Sequence, residues 1–521
     1  MTLRESFTGK TFCLGVELVT TRGFADKGPA SKVLQFGRAL AGRTDIDWLS
    51  ITDNAGGNPA LGAEHLGGIL RDLGAEVLIH LSAKDMNRNA LEGRAWTLAS
   101  RGLTNVLVLT GDYPIAGFRG SARPVFDMDS VTLLAMLAAM NAGMEVAAPG
   151  RAAVALEPTS FYAGVAVSPF KAHPAELLGQ YLKLERKIAH GAQFIITQIG
   201  YDARKWDELR VHLEERGHRL PCIGYVYLLG KGVAGVFHRN QIPGCVVSDE
   251  LLALVERQAA GPDRGKSFFI ELAAKQAAIL RGMGYRGAYL GGLTSPAQLD
   301  AILERLRSFS PDDWRLFAKE LQFPAPNEFY MYERDPATGL ADAGRRAPMP
   351  RASAPALERL GFAFNEVFHR IVFAPDAPLF GAAARVYRTL EKRPRLASAA
   401  RGLENLIKAA MFGCRGCGDC SLPETTYICP ESSCPKRQRN GPCGGSCRGK
   451  CEAEDRDCIW VRAFRRCGGA EKFAALLQEA AAFVDDGLRT KSSWANAFLG
   501  RDHHRYREGA THGDSGTHAD R

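Results

Sequence analysis

The stretch Asn105–Thr110 reads NVLVLT, and Gly111 and Asp112 follow it directly. Its uninterrupted Val and Leu residues predict a β-strand that is buried on both faces. Similar apolar runs recur along the first 300 residues, and their composition predicts eight strands in all. The predicted strands are Phe12–Val19, Asp47–Thr52, Glu76–Leu81, Asn105–Thr110, Tyr162–Val167, Phe194–Ile199, Cys222–Tyr227 and Gly287–Gly291.

Segments with helical spacing separate these strands, among them Leu61–Leu73, Ala90–Arg101 and Leu177–His190, the last of which ends at Gly191. Alternating strands and helices predict a parallel sheet, and the number of strands favours a (β/α)8 TIM barrel. A doubly wound open sheet is the alternative. It usually carries a glycine-rich fingerprint after its first strand, and Phe12–Val19 is not followed by one.

The chain has 521 residues, of which 46% are hydrophobic and 24% charged, with a net charge of +9. This composition excludes a disordered chain, and the charge excess is too mild to indicate a nucleic-acid partner. The most apolar stretch, Val131–Ala148, contains Asn141 and Glu145, so we expect a buried helix and no membrane span. The first residues lack a signal-peptide pattern, so we expect a cytoplasmic protein.

Ten of the thirteen cysteines lie between Cys414 and Cys467. Such density in a reducing compartment indicates metal ligation before it indicates disulfides. Two [4Fe–4S] clusters or one or two structural zinc ions fit the number of thiols, and the spacing does not decide between them. The predicted metal ligands are Cys414, Cys417, Cys420, Cys429, Cys434, Cys443, Cys447, Cys451 and Cys458.

These patterns predict four regions along the chain. The barrel occupies residues 1–310, a connecting segment and linker residues 311–355, and a helical, cysteine-rich metal-binding domain residues 356–499. Residues 500–521 form a polar tail with four of the twelve histidines. We expect this tail to be a solvated, disordered end, although its histidines could bind metal adventitiously.

Polar residues follow several predicted strands, and in a barrel the carboxyl ends of the strands carry the chemistry. The candidates at these ends are Glu17, Thr52, His80, Asp112, His173 and Gln198. Glu17 lies inside an apolar run, which predicts a buried carboxyl group with a raised pKa. Such a group suits general acid catalysis on a polar heterocycle. The simpler alternatives are a helix N-cap for Asp112 and a core histidine for His80.

Four strings of the barrel region resemble the methylenetetrahydrofolate reductase family in order and spacing over roughly 300 residues. They are Thr52–Asn58 (TDNAGGN), His80–Arg88 (HLSAKDMNR), Val106–Pro114 (VLVLTGDYP) and Leu184–Ala192 (LERKIAHGA), the last followed by Ile195–Gln198 (IITQ). The resemblance implies a barrel that binds a flavin, usually FAD, and a folate. It also implies reduction of 5,10-methylenetetrahydrofolate to 5-methyltetrahydrofolate, or the reverse oxidation, in one-carbon metabolism and methionine biosynthesis.

The same resemblance assigns roles to individual residues. Glu17 matches the general acid that assists opening of the five-membered folate ring. Asp112 matches the acid that contacts the pterin, and Gln198 matches the amide that binds it. The positions that match flavin contacts are Thr52, His80, Asp112, His173, Arg186 and Lys187. Arg186 and Lys187 are cations suited to a pyrophosphate, although a solvated helix face is the simpler interpretation.

The cysteine region is similar to a C-terminal domain found with some methylenetetrahydrofolate reductases. The matching strings are Phe412–Cys420 (FGCRGCGDC), Cys429–Lys436 (CPESSCPK), Asn440–Gly445 (NGPCGG) and Cys458–Trp460 (CIW). In relatives this domain is associated with zinc or iron–sulfur binding and with electron delivery to the flavin. The electron donor is then NAD(P)H or a donor protein, and we expect a homo-oligomer.

Two positions depart from the family pattern. The family often has Arg where this chain has Thr110, and its first strand commonly continues into Phe-Phe-Pro-Pro where this chain has Leu18–Thr21. These departures leave FMN as an alternative to FAD. They also leave an alternative function, a flavin-free folate-binding or iron–sulfur electron-transfer subunit.

Overall fold

A computed structural model describes residues 1–146, 152–478 and 481–506. Eight parallel strands close into a barrel in which every strand pairs with its neighbours in sequence, and the first also pairs with the last. The strands are β1 Cys13–Leu18, β2 Trp48–Ile51, β3 Val77–Ser82, β4 Asn105–Leu109, β5 Tyr162–Val167, β6 Phe194–Thr197, β7 Cys222–Tyr227 and β8 Gly287–Gly291. The predicted barrel is confirmed, each predicted strand overlaps an observed one, and the open-sheet alternative is wrong.

Aromatic rings fill the barrel at the end where its strands begin. Phe7, from the helix Leu3–Gly9, packs edge-on against Trp48 at 5.1 Å and against Phe194 at 5.2 Å between ring centroids. Two strand glycines make room for these rings. A Cβ atom on Gly15 would lie 1.9 Å from the Trp48 ring, and one on Gly164 would lie 2.1 Å from the Phe194 ring. The floor of the barrel is therefore packed, and the space for chemistry lies toward the carboxyl ends of the strands.

Helices alternate with the strands and cover the barrel, as the sequence periodicity predicts. The helices of this region are Leu3–Gly9, Gly28–Ala41, Ala63–Asp72, Arg88–Ser100, Ser130–Ala142, Pro174–Ala189, Ala203–Glu215, Lys231–His238, Asp249–Ala259, Lys266–Gly282, Pro296–Ser308 and Trp314–Glu320. The predicted apolar helix Val131–Ala148 corresponds to Ser130–Ala142, and its residues 147 and 148 lie outside the described part of the chain. No helix among the described residues is long and apolar enough to cross a membrane.

The described residues form two compact units. The first unit contains residues 1–138 and 160–349 together with a separate segment, Cys443–Glu452, which we name the cysteine loop. The second unit contains the other described residues. The helical periodicity predicted after the linker corresponds to helices of this second unit. They are Ala356–Val372, Phe380–Glu391, Pro394–Phe412, Pro430–Ser433, Ile459–Cys467, Ala470–Gln478 and Ser493–Phe498.

The predicted tail, residues 500–521, lies outside the described residues from position 507 onward. Its first part is described and contains a short 3-10 helix, His503–Tyr506. His503 is 2% exposed, so this first part is packed against its own unit.

Candidate active site at the barrel mouth

Glu17 lies on β1 with its carboxyl group inside the barrel, where only 9% of the residue is exposed. The Tyr289 hydroxyl donates a hydrogen bond to Glu17 Oε1 at 3.3 Å, and Tyr225 provides a second hydrogen bond. A Cβ atom on Gly291 would lie 2.6 Å from the Tyr225 hydroxyl and 2.8 Å from Glu17 Oε2, so a glycine is needed there. Burial raises the pKa of Glu17 although both tyrosines oppose the shift. Burial therefore favours the protonated form of this carboxyl group beyond the usual carboxyl range.

His80 on β3 joins this group through Tyr289. Its Nε2 atom lies 3.5 Å from the Tyr289 hydroxyl and 3.0 Å from Ser50 Oγ. Burial lowers the pKa of His80 to about 4, so the imidazole is neutral above acidic pH. The Glu17 carboxyl group, the Tyr289 hydroxyl, the imidazole and the Ser50 hydroxyl thus form one buried polar chain across the barrel.

Asp112 follows β4 and holds the loop that follows β2. The Gly56 amide donates a hydrogen bond to Asp112 Oδ2 at 2.8 Å. Gly56 and Gly57 have φ of +63° and +75°, and a Cβ atom on Gly57 would lie 2.2 Å from the Tyr113 carbonyl oxygen. Glycine is required at this turn because both the left-handed backbone and the close approach exclude a side chain.

Thr52 is tied to the end of β1. Its hydroxyl oxygen accepts a hydrogen bond from the Thr20 amide at 3.2 Å, and its carbonyl oxygen accepts one from the Thr20 hydroxyl at 3.0 Å. Thr52 is 3% exposed, so these bonds fix the first residue beyond β2.

Cys245 is a member of the site that the sequence pattern does not indicate. Burial raises the pKa of its thiol, and the carboxylates of Asp112 and Glu17 raise it further. Cys245 directly follows Gly244, which packs beside Gln198. A lone cysteine outside the cluster gives no periodic or spacing signal, which is why sequence reasoning missed it.

Gln198 follows β6, and its Oε1 atom accepts a hydrogen bond from the Ile199 amide at 3.0 Å. Its Nε2 atom would lie 3.2 Å from a Cβ atom on Gly244, a buried glycine with φ of +83°. The same Cβ atom would lie 3.5 Å from the Gly444 carbonyl oxygen, so the cysteine loop and Gln198 are neighbours around Gly244.

Two buried groups of the barrel hold the cysteine loop in place. Lys171 is 4% exposed, and its ammonium group donates to the carbonyl oxygens of Gly444 at 2.6 Å and Ser446 at 2.5 Å. Glu176 Oε1 accepts a hydrogen bond from the Gly449 amide at 3.0 Å. The sequence gives no signal for this contact because the partners are 273 and 275 residues apart.

The helix Pro174–Ala189 carries the other predicted cofactor residues at its two ends. His173 caps its start, where Nδ1 accepts a hydrogen bond from the Ala175 amide at 3.2 Å. Lys187 lies in its last turn, about 20 Å away along the axis, and donates to the Ala166 carbonyl oxygen at 2.7 Å. The structure therefore does not bring His173 together with Arg186 and Lys187.

Three cations of this helix are buried within one turn of each other. Lys183, Arg186 and Lys187 are 2%, 6% and 9% exposed. Burial lowers the pKa of Lys187 to about 7, and the charge of Lys183 adds to the shift. An anion placed among them would offset this repulsion, so the group fits a phosphate-bearing ligand.

All thirteen cysteines are free thiols in the structure. Backbone amides point at three of the predicted ligands. The donors are Gly416 to Cys414 Sγ at 3.4 Å, Gln438 to Cys434 Sγ at 3.4 Å and Gly445 to Cys443 Sγ at 3.5 Å. Amide hydrogen bonds to sulfur stabilise the thiolate form that metals bind. Cys443, Cys447 and Cys451 lie in the cysteine loop of the first unit, and the other predicted ligands lie in the second unit.

The fold and this mouth define a (β/α)8-barrel protein with a buried carboxylic acid among tyrosines and a second acid on the neighbouring loops. A family model described as methylenetetrahydrofolate reductase matches residues 38–307, which is more than half of the chain. A second model, described as methylene-tetrahydrofolate reductase C terminal, matches residues 394–485. The chain belongs to the methylenetetrahydrofolate reductase family, as the sequence strings predicted, and thus to folate one-carbon metabolism. Glu17 precedes residue 38, so the family model does not cover it.

Among solved structures, the chain is similar to an uncharacterized protein from Clostridium thermocellum that binds two copies of 5-methyl-5,6,7,8-tetrahydrofolic acid. The identity is 11%, with 58% of this chain and 96% of that chain covered and a TM-score of 0.39. It is also similar to a thermostable aldo-keto reductase in complex with the inhibitor epalrestat. There the identity is 13%, the coverage 59% and 94%, and the TM-score 0.34. No curated protein matched the chain.

Proposed function

We propose that the protein interconverts 5,10-methylenetetrahydrofolate and 5-methyltetrahydrofolate with the help of a bound flavin. The observation that carries this proposal is the buried Glu17 carboxyl group, whose pKa is raised inside the barrel. Reduction of the methylene group requires the five-membered ring of the folate to open. That step needs a proton donor, and a buried carboxyl group whose pKa is raised can provide one.

In this mechanism Glu17 transfers its carboxyl proton to a ring nitrogen of the folate as the ring opens. The resulting carboxylate keeps the hydrogen bond from Tyr289 at Oε1, which stabilises the charge left in the buried site. His80 is neutral and lies 3.5 Å from the same hydroxyl, so the charge develops without a competing imidazolium ion. In the oxidative direction the same steps run in reverse.

Asp112 and Gln198 are the residues that would bind the pterin. Asp112 presents a carboxylate whose Oδ2 atom is fixed by the Gly56 amide, and this negative charge would stabilise the cation that ring opening creates. Gln198 is fixed through Oε1, and its Nε2 atom then provides the donor toward a bound ligand.

A flavin, when bound, supplies the hydride transfer that the folate requires. The buried cations Lys183, Arg186 and Lys187 fit the pyrophosphate of a dinucleotide, which favours FAD over FMN. The further positions proposed for flavin contact are Thr52, His80, Asp112 and His173. NAD(P)H or a donor protein would supply the electrons.

We extend the proposal to the cysteines, which would hold zinc or an iron–sulfur cluster. Among the described residues, no three of their sulfur atoms lie within 4.8 Å of one another, so they would have to move closer together around the metal. The amides directed at Cys414, Cys434 and Cys443 support ligation because they stabilise thiolates. An iron–sulfur cluster would allow electrons to enter through this region, whereas zinc would make its role structural.

The test is anaerobic assay of the purified full chain with methyltetrahydrofolate and an acceptor dye, together with its visible spectrum and metal content. We expect a flavin spectrum, dye reduction, and loss of at least 100-fold of the turnover in Glu17→Gln. Glu250→Gln, which changes an exposed carboxylate, is the matched control and should keep full activity. A colourless protein without folate turnover would instead support the flavin-free subunit, and full activity in Glu17→Gln would contradict the mechanism.

A further inference from the structure

Three potential metal ligands meet in the second unit at a place that neither the proposed reaction nor the cysteines use. They are Glu424, His503 and His504, whose ligand atoms all lie within 4.8 Å of one another. Glu424 is 4% exposed and His503 2%. Among the described residues, no other group of three or more histidine, cysteine or acidic side chains converges this closely.

Both imidazole rings are oriented by carboxylates on the side away from Glu424. His503 Nδ1 lies 2.5 Å from Asp419 Oδ1, and His504 Nδ1 lies 2.9 Å from Asp502 Oδ2. His504 Nε2 is hydrogen-bonded to Glu424 Oε1 at 2.9 Å. When an ion is bound and each ring keeps its proton on Nδ1, both Nε2 atoms can serve as ligands. Zinc-binding histidines are usually oriented in this way, with the second nitrogen bonded to a carboxylate.

The acids that orient the rings are themselves fixed. Asp419 is fully buried and accepts hydrogen bonds from the Asp485 amide at 3.0 Å and the His503 amide at 3.3 Å. Asp502 is 3% exposed and accepts one from the His504 amide at 3.2 Å. The two imidazoles are therefore preorganised by buried groups and do not depend on a surface arrangement.

The two distances from Glu424 to the imidazoles are close to those between ligands of a tetrahedral zinc ion. Glu424 Oε1 lies 2.9 Å from His504 Nε2 and 3.5 Å from His503 Nε2. Two ligands held about 2.0 to 2.1 Å from a tetrahedral ion are about 3.3 Å apart, which falls between these values. His503 Nε2 is buried without a hydrogen-bond partner among the described residues, although it faces the carboxylate.

We propose that Glu424, His503 and His504 bind a divalent cation of the zinc class, separate from any metal that the cysteines hold. Two imidazoles and one carboxylate are a ligand set that zinc accepts, and it contains no thiolate. The ion would join the end of the described chain to the segment around Pro423–Thr425. His503 and His504 belong to the predicted solvated tail, where sequence reasoning gave them no specific role.

The competing interpretation is a network of ion pairs without metal. Although burial opposes it, the neighbouring carboxylates of Asp419 and Glu424 raise the pKa of His503 to about 10, which would protonate the ring when no ion is bound. A bound cation would displace that proton, so the two interpretations differ in metal content.

The experiment compares the metal content of the full-length protein with those of Glu424→Gln and His504→Ala. All proteins are loaded with Zn²⁺ and dialysed, and the control His65→Ala removes an exposed histidine. We expect both site variants to lose about one zinc ion per chain and the control to lose none. With Co²⁺ in place of Zn²⁺, the variants should lose visible absorption while the thiolate-to-cobalt bands keep their intensity.

Unchanged zinc content in both site variants would overturn the proposal and leave the ion-pair network. The side chain of His504 is 31% exposed, so His504→Ala provides a decisive measurement even if Glu424→Gln does not fold. Neither readout uses folate or flavin, and therefore a failure of the proposed reaction would leave this result unaffected.

Discussion

The ammonium group of Lys171 lies 2.6 Å from the carbonyl oxygen of Gly444, a residue 273 positions further along the chain. A second carbonyl oxygen, that of Ser446, lies 2.5 Å from the same nitrogen. A barrel residue that follows β5 thus holds the cysteine loop next to Gln198. Part of the cysteine-rich sequence therefore packs on the barrel beside a residue of the candidate site.

Replacing Lys171 by methionine should release the cysteine loop. The change leaves two carbonyl oxygens without their charged donor, at a cost of about 1 to 3 kcal/mol each if they stay buried. We expect faster hydrogen exchange across Cys443–Glu452 and a several-fold higher KM for the folate with a smaller change in kcat. Lys266→Met, at an exposed lysine, is the control. Unchanged exchange in the loop would show that Lys171 does not hold it.

Glu17→Gln should change the pH dependence of stability as well as activity. Because the pKa of Glu17 is raised in the folded state, the unfolded chain loses this proton first, and stability is lost as the pH rises above the ordinary carboxyl range. The glutamine variant lacks this proton. Its free energy of unfolding, followed by chemical denaturation, should therefore fall less than that of the wild type as the pH rises above the ordinary carboxyl range. Parallel curves for the two proteins would contradict a buried, protonated Glu17.

His80 should make the barrel sensitive to acid. Its pKa is about 4 in the folded state against 6.5 ordinarily, so the unfolded chain binds more protons between these values. The folded state should lose up to about 3 kcal/mol as the pH falls from 6.5 to 4. Denaturation of His80→Gln over this range should show a correspondingly smaller loss. An equal loss in both proteins would mean that other groups cause the acid sensitivity.

Lys187→Met should stabilise the flavin-free protein and weaken its binding of FAD. The pKa of Lys187 is about 7 in the fold and 10.5 ordinarily, so the buried amine costs stability at pH 7 and less as the pH rises toward 10.5. We expect the flavin-free variant to unfold at a higher temperature than the wild type at pH 7. Its Kd for FAD, measured by fluorescence quenching, should rise at least 10-fold. Equal affinity would exclude Lys187 from the pyrophosphate site.

The barrel was predictable because strands buried on both faces are continuous apolar runs, as in Val77–Ser82, where every residue is buried. Glu17 was conspicuous for the same reason, since an acid inside such a run is rare. Cys245, Lys171 and His503 were not predictable. Their environment depends on contacts between segments far apart in the chain, and a sequence pattern reports only neighbours within a few residues.

The packing of Phe7 against Trp48 and Phe194 blocks access to the barrel interior from one end. All three rings are at most 1% exposed, and the glycines beneath them leave no side chain to move aside. The barrel is therefore closed at the end where its strands begin. If the proposed reaction takes place there, substrate must enter and product must leave at the end of the barrel where the strands finish. Under that proposal, the rate at which product is exchanged for substrate at this end is set by the loops around it, one of which is the cysteine loop held by Lys171.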